Sequence, residues 1–370
     1  MLTGAVLKKG FLLLSLIGMI SVNSHSHYQD VSPIDRIEHV INEAEDHLRV
    51  LPEKTISLLE NNSPLLAIAT PEQASAWHLT AMLSAIQVSD LDLLNQSLYA
   101  LSELKETEYF NQHLAKILRG LGVWMRRSGH LTAAKAGYLC SIDYSDSPKD
   151  KVIAMINLGV VERNLGNLVY SNNMYTAAKE LAAELEEYEF LAIIENNLGT
   201  LAITEQRYKD AQQHFAKALE MNQYLNRRSG EVLTANNLLL SFLYQNETLL
   251  FQRLQSRVKR LLIPGKDSAR EAYFKILQAV HQVQVAPSTL ENAHQIIAGN
   301  LPLVNDKGIH GLLQPLLAGI EYQISLPTNA QNQRYNGVLV QQFSMCDWQK
   351  YSQDNYLAVL KSKDKDTSTN

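Results

Sequence analysis

The chain has 370 residues, 46% of them hydrophobic and 19% charged, which permits a sizeable core and excludes wholesale disorder. A formal charge of −5 leaves no electrostatic footprint for nucleic acid or an anionic membrane surface. With 17 Gly, 10 Pro and few alternating Val, Ile and Thr, the composition points to an all-helical protein.

The first residues, MLTGAVLKKGFLLLSLIGMISVNSHS, have the three parts of a secretory signal. Lys8 and Lys9 form the positive end, and a mostly apolar run extends from Phe11 to Val22. Val22 and Ser24 supply the small residues of a cleavage site after Ser24. The run is short for a bilayer span, and an uncleaved anchor is the alternative. The expectation is a signal peptide over 1–24 and a periplasmic or secreted mature chain with no membrane insertion. Losing Lys8 and Lys9 with the leader takes the charge from −5 to −7.

Residues 25–114 read as divergent helical hairpins. Ser32-Pro33 is an N-cap with proline at the first helical position, opening a helix to about residue 51. PEKTISLLEN, PEQASAWHLTAMLSAIQ and SDLDLLNQSLYALSEL give three more.

The chain then repeats itself. A Leu-Gly pair recurs at Leu121-Gly122, Leu158-Gly159 and Leu198-Gly199, with Leu238-Leu239 as a weaker fourth copy. Thirteen residues after each leucine stands a small residue, Ala134, Ser171 or Ala211. Four further on is an aromatic, Tyr138, Tyr175 or Phe215, and three beyond it another small residue, Ser141, Ala178 or Ala218. Two antiparallel helices need this pattern: small residues let the backbones approach, and the aromatic is expected to plug the gap between successive hairpins.

This spacing resembles the tetratricopeptide repeat, with Leu198, Gly199, Ala211, Phe215 and Ala218 as the best match. RYKDA (207–211) resembles that family's turn into its second helix. The repeat length of 37–40 residues exceeds the family's 34, implying longer helices, and the closing proline is missing near Gln223. The resemblance implies an all-α, right-handed solenoid of helical hairpins with divergent caps. The array covers 115–262, three clear repeats and a degenerate one in which Phe251 and Gln255 replace the small and aromatic positions. The long repeats and the NNLG consensus also resemble the periplasmic sensor regions of bacterial diguanylate cyclases and histidine kinases. No membrane helix or catalytic domain follows in this sequence, so the expectation is a free periplasmic partner of a receptor or envelope complex.

In such a hairpin the first helix lines the concave surface. The family's groove positions place Asn157, Asn197 and Asn237 at one site in three successive repeats, with Asn164, Asn196, Thr200 and Asn236 nearby. Lys116, Arg119, Arg126, Arg127 and Arg163 add cations. A ladder of amides both donates to and accepts from the backbone of an extended peptide, and arginines suit a carboxylate. The alternatives are asparagines that bridge neighbouring helices and arginines on a solvated face.

Residues 263–350 continue the paired pattern, with helices expected at 268–283, 287–298 and 308–324. A polar break, LPTNAQNQRYNG, precedes one or two terminal helices over 338–360, and a polar tail closes 351–370. Cys140 and Cys346 are the two cysteines; export permits a disulfide, and a small buried hydrophobe is the alternative, favoured for Cys140.

Enzyme signatures are missing: no Gly-rich phosphate loop, HExxH, Cys-x-x-Cys or Gly-x-Ser-x-Gly occurs. His39, Glu43 and His47 share a helix face, and a mature His25-Ser26-His27 terminus has copper-chelating form, but a solvated face and a floppy leader explain them as well. Trp77, Trp124 and Trp348 fit hairpin packing. The sequence therefore implies a non-enzymatic module without cofactor, binding a protein or peptide through its groove. A scaffold using the convex face or the C-terminal helices is the competing expectation, and a metal or small-molecule sensor a weaker one.

Overall fold

The computed structural model describes residues 33–48, 50–263, 268–304, 307–324 and 338–348, and every regular element among them is a helix. The leader, His25 to His27, the polar break at 326–337 and the tail lie outside the described residues.

Helix α1 (Pro33–Leu48) pairs with α2 (Pro52–Asn61), and α3 (Pro71–Val88) with α4 (Leu91–Glu103). Their starts are written locally. Prolines occupy the first turns of α2 and α3, where no intrahelical N–H is needed. Thr70 and Gln73 form a reciprocal capping box on α3, and the Asp90 carboxylate caps α4. A short α5 (Glu108–Gln112), not expected from the sequence, intervenes before the repeats.

The repeat hairpins are α6 (Leu114–Arg127) with α7 (Leu131–Asp143), α8 (Pro148–Asn164) with α9 (Leu168–Glu184), α10 (Tyr188–Thr204) with α11 (Tyr208–Tyr224), and α12 (Arg228–Tyr244) with α13 (Thr248–Leu261). From α8 onward the six helices start at 148, 168, 188, 208, 228 and 248, twenty residues apart. Every turn between them closes the same way. A left-handed residue follows the helix: Gly166, Glu186, Gln206, Asn226 or Asn246. The next N–H then reaches back to a carbonyl of the last helical turn, as in Asn167 to Glu162 (2.8 Å) and Arg207 to Ala202 (2.8 Å). The array is an all-α solenoid.

Each repeat glycine exists for its own hairpin's aromatic ring. A Cβ on Gly122 would stand 2.8 Å from the Tyr138 ring; on Gly159 it would meet Tyr175 at 2.5 Å, and on Gly199 Phe215 at 2.5 Å. The ring thus plugs the gap inside a hairpin, a correction to the expectation that it fills the space between hairpins. The fourth copy inverts the arrangement. Leu239 replaces the glycine and is fully buried, while Gln255 replaces the ring and bonds Gln278 (3.2 Å). A second substitution tracks the first. Four residues after each glycine stands Arg126, whose charge acts on Tyr138, or Arg163, whose charge acts on Tyr175, or Ile203, which shares a buried cluster with Phe215. A buried phenol favours a polar neighbour, and a phenyl ring does not.

Beyond the repeats, α14 (Ser268–Val285) packs on α12 and pairs with α15 (Leu290–Asn300). Helix α16 (Lys307–Ala318) then turns back against α10, and its Leu312 carbonyl accepts from the Tyr244 hydroxyl at the end of α12 (2.6 Å). Helix α17 (Val338–Gln342) lies far upstream against α4. There Cys346 forms a disulfide with Cys140 of α7, the two Cα atoms 5.9 Å apart. Cys140 is thus both wholly buried and cross-linked.

Candidate functional site

The first helices of the hairpins form one layer: α6 touches α8, α8 touches α10, α10 touches α12, and α12 touches α14. The expected groove residues lie on this layer, in three different settings.

The first setting is open. Asn157 is half-buried and donates to the Ile153 carbonyl of its own helix (2.8 Å), leaving its side-chain oxygen uncommitted among the described residues. Asn164 is exposed. Asn197 is half-buried, and its side-chain amide makes no hydrogen bond among the described residues. Incompletely bonded amides on a half-buried surface are ready to bind a backbone.

The second setting is closed. Asn196 is 9% exposed, Asn237 3% and Asn236 0%. Asn237 donates to the Asn196 side-chain oxygen (2.9 Å) and accepts from the Tyr273 hydroxyl (3.2 Å). This chain of bonds joins α10, α12 and α14. Asn236 donates to the Arg270 carbonyl (3.0 Å). The in-register triad of Asn157, Asn197 and Asn237 is therefore split, because α14 flanks α12 and α16 packs against α10 and the end of α12. From Thr234 to Leu243 every residue of α12 is buried. Asn237 presents no open face to a groove in this conformation.

The third setting is cationic and largely spoken for. Arg119 is 9% exposed and pairs with Asp150 (2.6 Å), tying α6 to α8. Arg163 donates to the Thr200 hydroxyl and lies 3.5 Å from the Asn164 side-chain oxygen, tying α8 to α10. Arg127 donates to the Ile86 carbonyl (2.9 Å). Burial pushes the Tyr138 and Tyr175 hydroxyls above their ordinary pKa, with Arg126 and Arg163 acting against it. Lys116 is half-buried. The open part of the layer is thus the stretch from α6 to α10, edged by Asn157, Asn164, Asn197 and Arg163.

One charged cluster escaped the sequence reading. Glu195 is 2% exposed and accepts from Lys179 of α9 (2.8 Å) and from His214 (2.7 Å) and Lys217 (2.8 Å) of α11. Burial opposes its ionisation, yet the bonds from His214, Lys179 and Lys217 outweigh that and hold its carboxyl well below the usual carboxylate range. Lys135 and Glu162 make a second buried pair (2.9 Å) between α7 and α8. The signal was an acidic residue inside the apolar run IIENNLG, which the asparagines beside it overshadowed. Among the described residues no group of His, Cys, Asp and Glu is arranged to hold a metal ion. Lys54 donates to His47 (2.7 Å) on the face shared with His39 and Glu43.

No family model and no curated protein matches the chain. Solved structures do. A Rap protein complexed with Competence and Sporulation Factor is 11% identical, covering 86% of this chain and 99% of that one, with a TM-score of 0.54. The fold is that of a helical-repeat protein. The apo form of RapI is 13% identical over 84% of this chain and 98% of that one, with a TM-score of 0.38. BtubC (BKLC) from P. vanneervenii is 18% identical over 58% of this chain and 92% of that one, with a TM-score of 0.46.

Proposed function

We propose that this helical-repeat chain is a binding module that holds a protein or peptide along the first-helix layer between α6 and α10. The carrying observation is the pair of half-buried, incompletely bonded amides of Asn157 and Asn197 beside Arg163. An extended backbone satisfies such amides by accepting and donating at once, so the ligand is gripped with little regard to its sequence. The fold it shares with a Rap protein solved in complex with Competence and Sporulation Factor supports a role in binding a partner. The apolar leader with Lys8 and Lys9 supports work outside the cytoplasm, as a periplasmic or secreted adaptor or partner of a receptor or envelope complex, without catalysis or cofactor.

The test is the triple change Asn157→Ala, Asn164→Ala and Asn197→Ala in the full chain. We expect capture of its partner from envelope extracts, read by mass spectrometry, to be lost while the helical circular dichroism stays unchanged. An identical set of captured proteins would remove these amides from the site. Fractionation of cells expressing the chain checks the location: recovery in the cytoplasm alone contradicts export.

A further inference from the structure

The last described residues, 338–348, dock on α4, α5 and α7, whereas α16 packs against α10. They sit in an apolar slot. Leu339, Phe343 and Cys346 are buried in one cluster with Leu98 and Leu101 of α4, Phe110 of α5 and Cys140 of α7. The Phe343 and Phe110 rings stack with centroids 6.2 Å apart. Gln342 accepts from the Ser102 hydroxyl (2.7 Å) and donates to Glu103 (3.1 Å), and the Tyr144 hydroxyl donates to the Met345 carbonyl (3.1 Å).

These contacts are few for the chain they order. Helix α17 has five residues, too short to hold itself in water. Its docking orders eleven residues with three buried apolar side chains, Leu339, Phe343 and Cys346, and two partly buried ones, Met345 and Trp348. The Cys140–Cys346 bond, spanning 206 residues of sequence, removes most of that cost by keeping the segment next to its slot.

We propose that residues 338–348 form a redox-held strap, docked while Cys140–Cys346 is oxidised and released when it is reduced. The reductant is a dithiol. One of its thiolates attacks the Cys346 sulfur, and Cys140 leaves as a thiolate that takes up a proton. The second reductant thiol then resolves the mixed disulfide, freeing the Cys346 thiol. Two electrons and two protons reach the protein, and the dithiol ends as its own disulfide. Both sulfurs are shielded, Cys140 at 0% and Cys346 at 2% exposure, so attack waits for a transient opening of the strap itself. Release uncovers the slot on α4, α5 and α7, whose natural occupant is this segment with Leu339 and Phe343 four residues apart.

Hydrogen exchange read by mass spectrometry on the full chain tests this, in the oxidised form, the dithiothreitol-reduced form and the variant Cys346→Ser. Amides of 338–346 are expected to exchange at least about tenfold faster in the two forms without the bond, while α10 and α11 keep their protection. Phe343→Ala should be reduced at least about tenfold faster than wild type, because it opens more often. Equal protection of 338–346 with both thiols alkylatable overturns the strap. So does a loss of protection that extends to α10 and α11, which means general unfolding.

Discussion

At Glu195 a carboxylate has been withdrawn from water in the middle of α10 and given partners on both neighbouring helices. Removing the charge and keeping the shape isolates what those partners contribute. Glu195→Gln is expected to cost about 1–3 kcal/mol in urea unfolding at pH 7. The sign of its pH dependence follows from a folded-state carboxyl that is held low. Its contribution is complete above the ordinary carboxylate range and fades as pH drops through that range towards the folded value. The gap between wild type and Glu195→Gln should therefore close as unfolding is measured at successively lower pH below about 4.3. Asn237 is a second residue whose meaning only the fold reveals. Its neighbours in sequence are those of a groove asparagine, but Tyr273 and Asn196 hold its amide on both sides. Asn237→Ala should lower stability by about 1–3 kcal/mol, read by thermal unfolding, because it leaves a buried amide oxygen of Asn196 without its donor.

Among the elements, the glycine and the ring form one unit that the fourth hairpin writes in reverse. Gly199→Leu alone forces a side chain into the Phe215 ring and is expected to cost more than about 3 kcal/mol. Adding Phe215→Gln to it reproduces the Leu239 and Gln255 pairing and should recover much of the loss; strict additivity in a denaturation double-mutant cycle would contradict the coupling. The turns offer a complementary gain. Glu186 and Gln206 adopt φ of 56° and 59°, where a Cβ crowds the backbone. Glu186→Gly and Gln206→Gly should each raise stability by up to about 1 kcal/mol, whereas Gly166→Ala should lower it by a similar amount. Much at this scale was legible. The Leu-Gly register and the aromatic that follows it locate three hairpins, and the forty-residue step to Leu238 locates the fourth, since a packing rule repeated in space must repeat in sequence. The helix PEKTISLLEN matches α2 residue for residue, because Pro52 fixes its start. What was not legible depends on contacts distant in sequence. No local pattern announces that α16 turns back against α10 and the end of α12, that Cys346 meets Cys140, or that α5 separates the caps from the array. The candidate site suffered the same way: Asn157 and Asn237 look alike in sequence and differ only in what lies above them.

As a whole the molecule is a file of neighbours, each hairpin touching the next, with separate buried clusters along its length. Damage should stay near its source. Phe215→Ala, expected to cost about 3–5 kcal/mol, should speed hydrogen exchange in α8 to α13 and leave the cluster around Ile37, Val40 and Trp77 protected. Uniform loss of protection would show a single cooperative unit instead. The twenty-residue spacing from α8 to α13 has a further consequence for how this chain tolerates cutting and splicing. Because every turn closes alike, twenty residues can be removed without breaking a helix, for each cut end finds an equivalent partner. Such a deletion nevertheless exchanges the roles of everything downstream: first helices become second helices, and Asn197 and Asn237 trade the inner layer for the outer one. Removing forty restores both the roles and the faces. The array thus has a parity, and its length can change only in even steps.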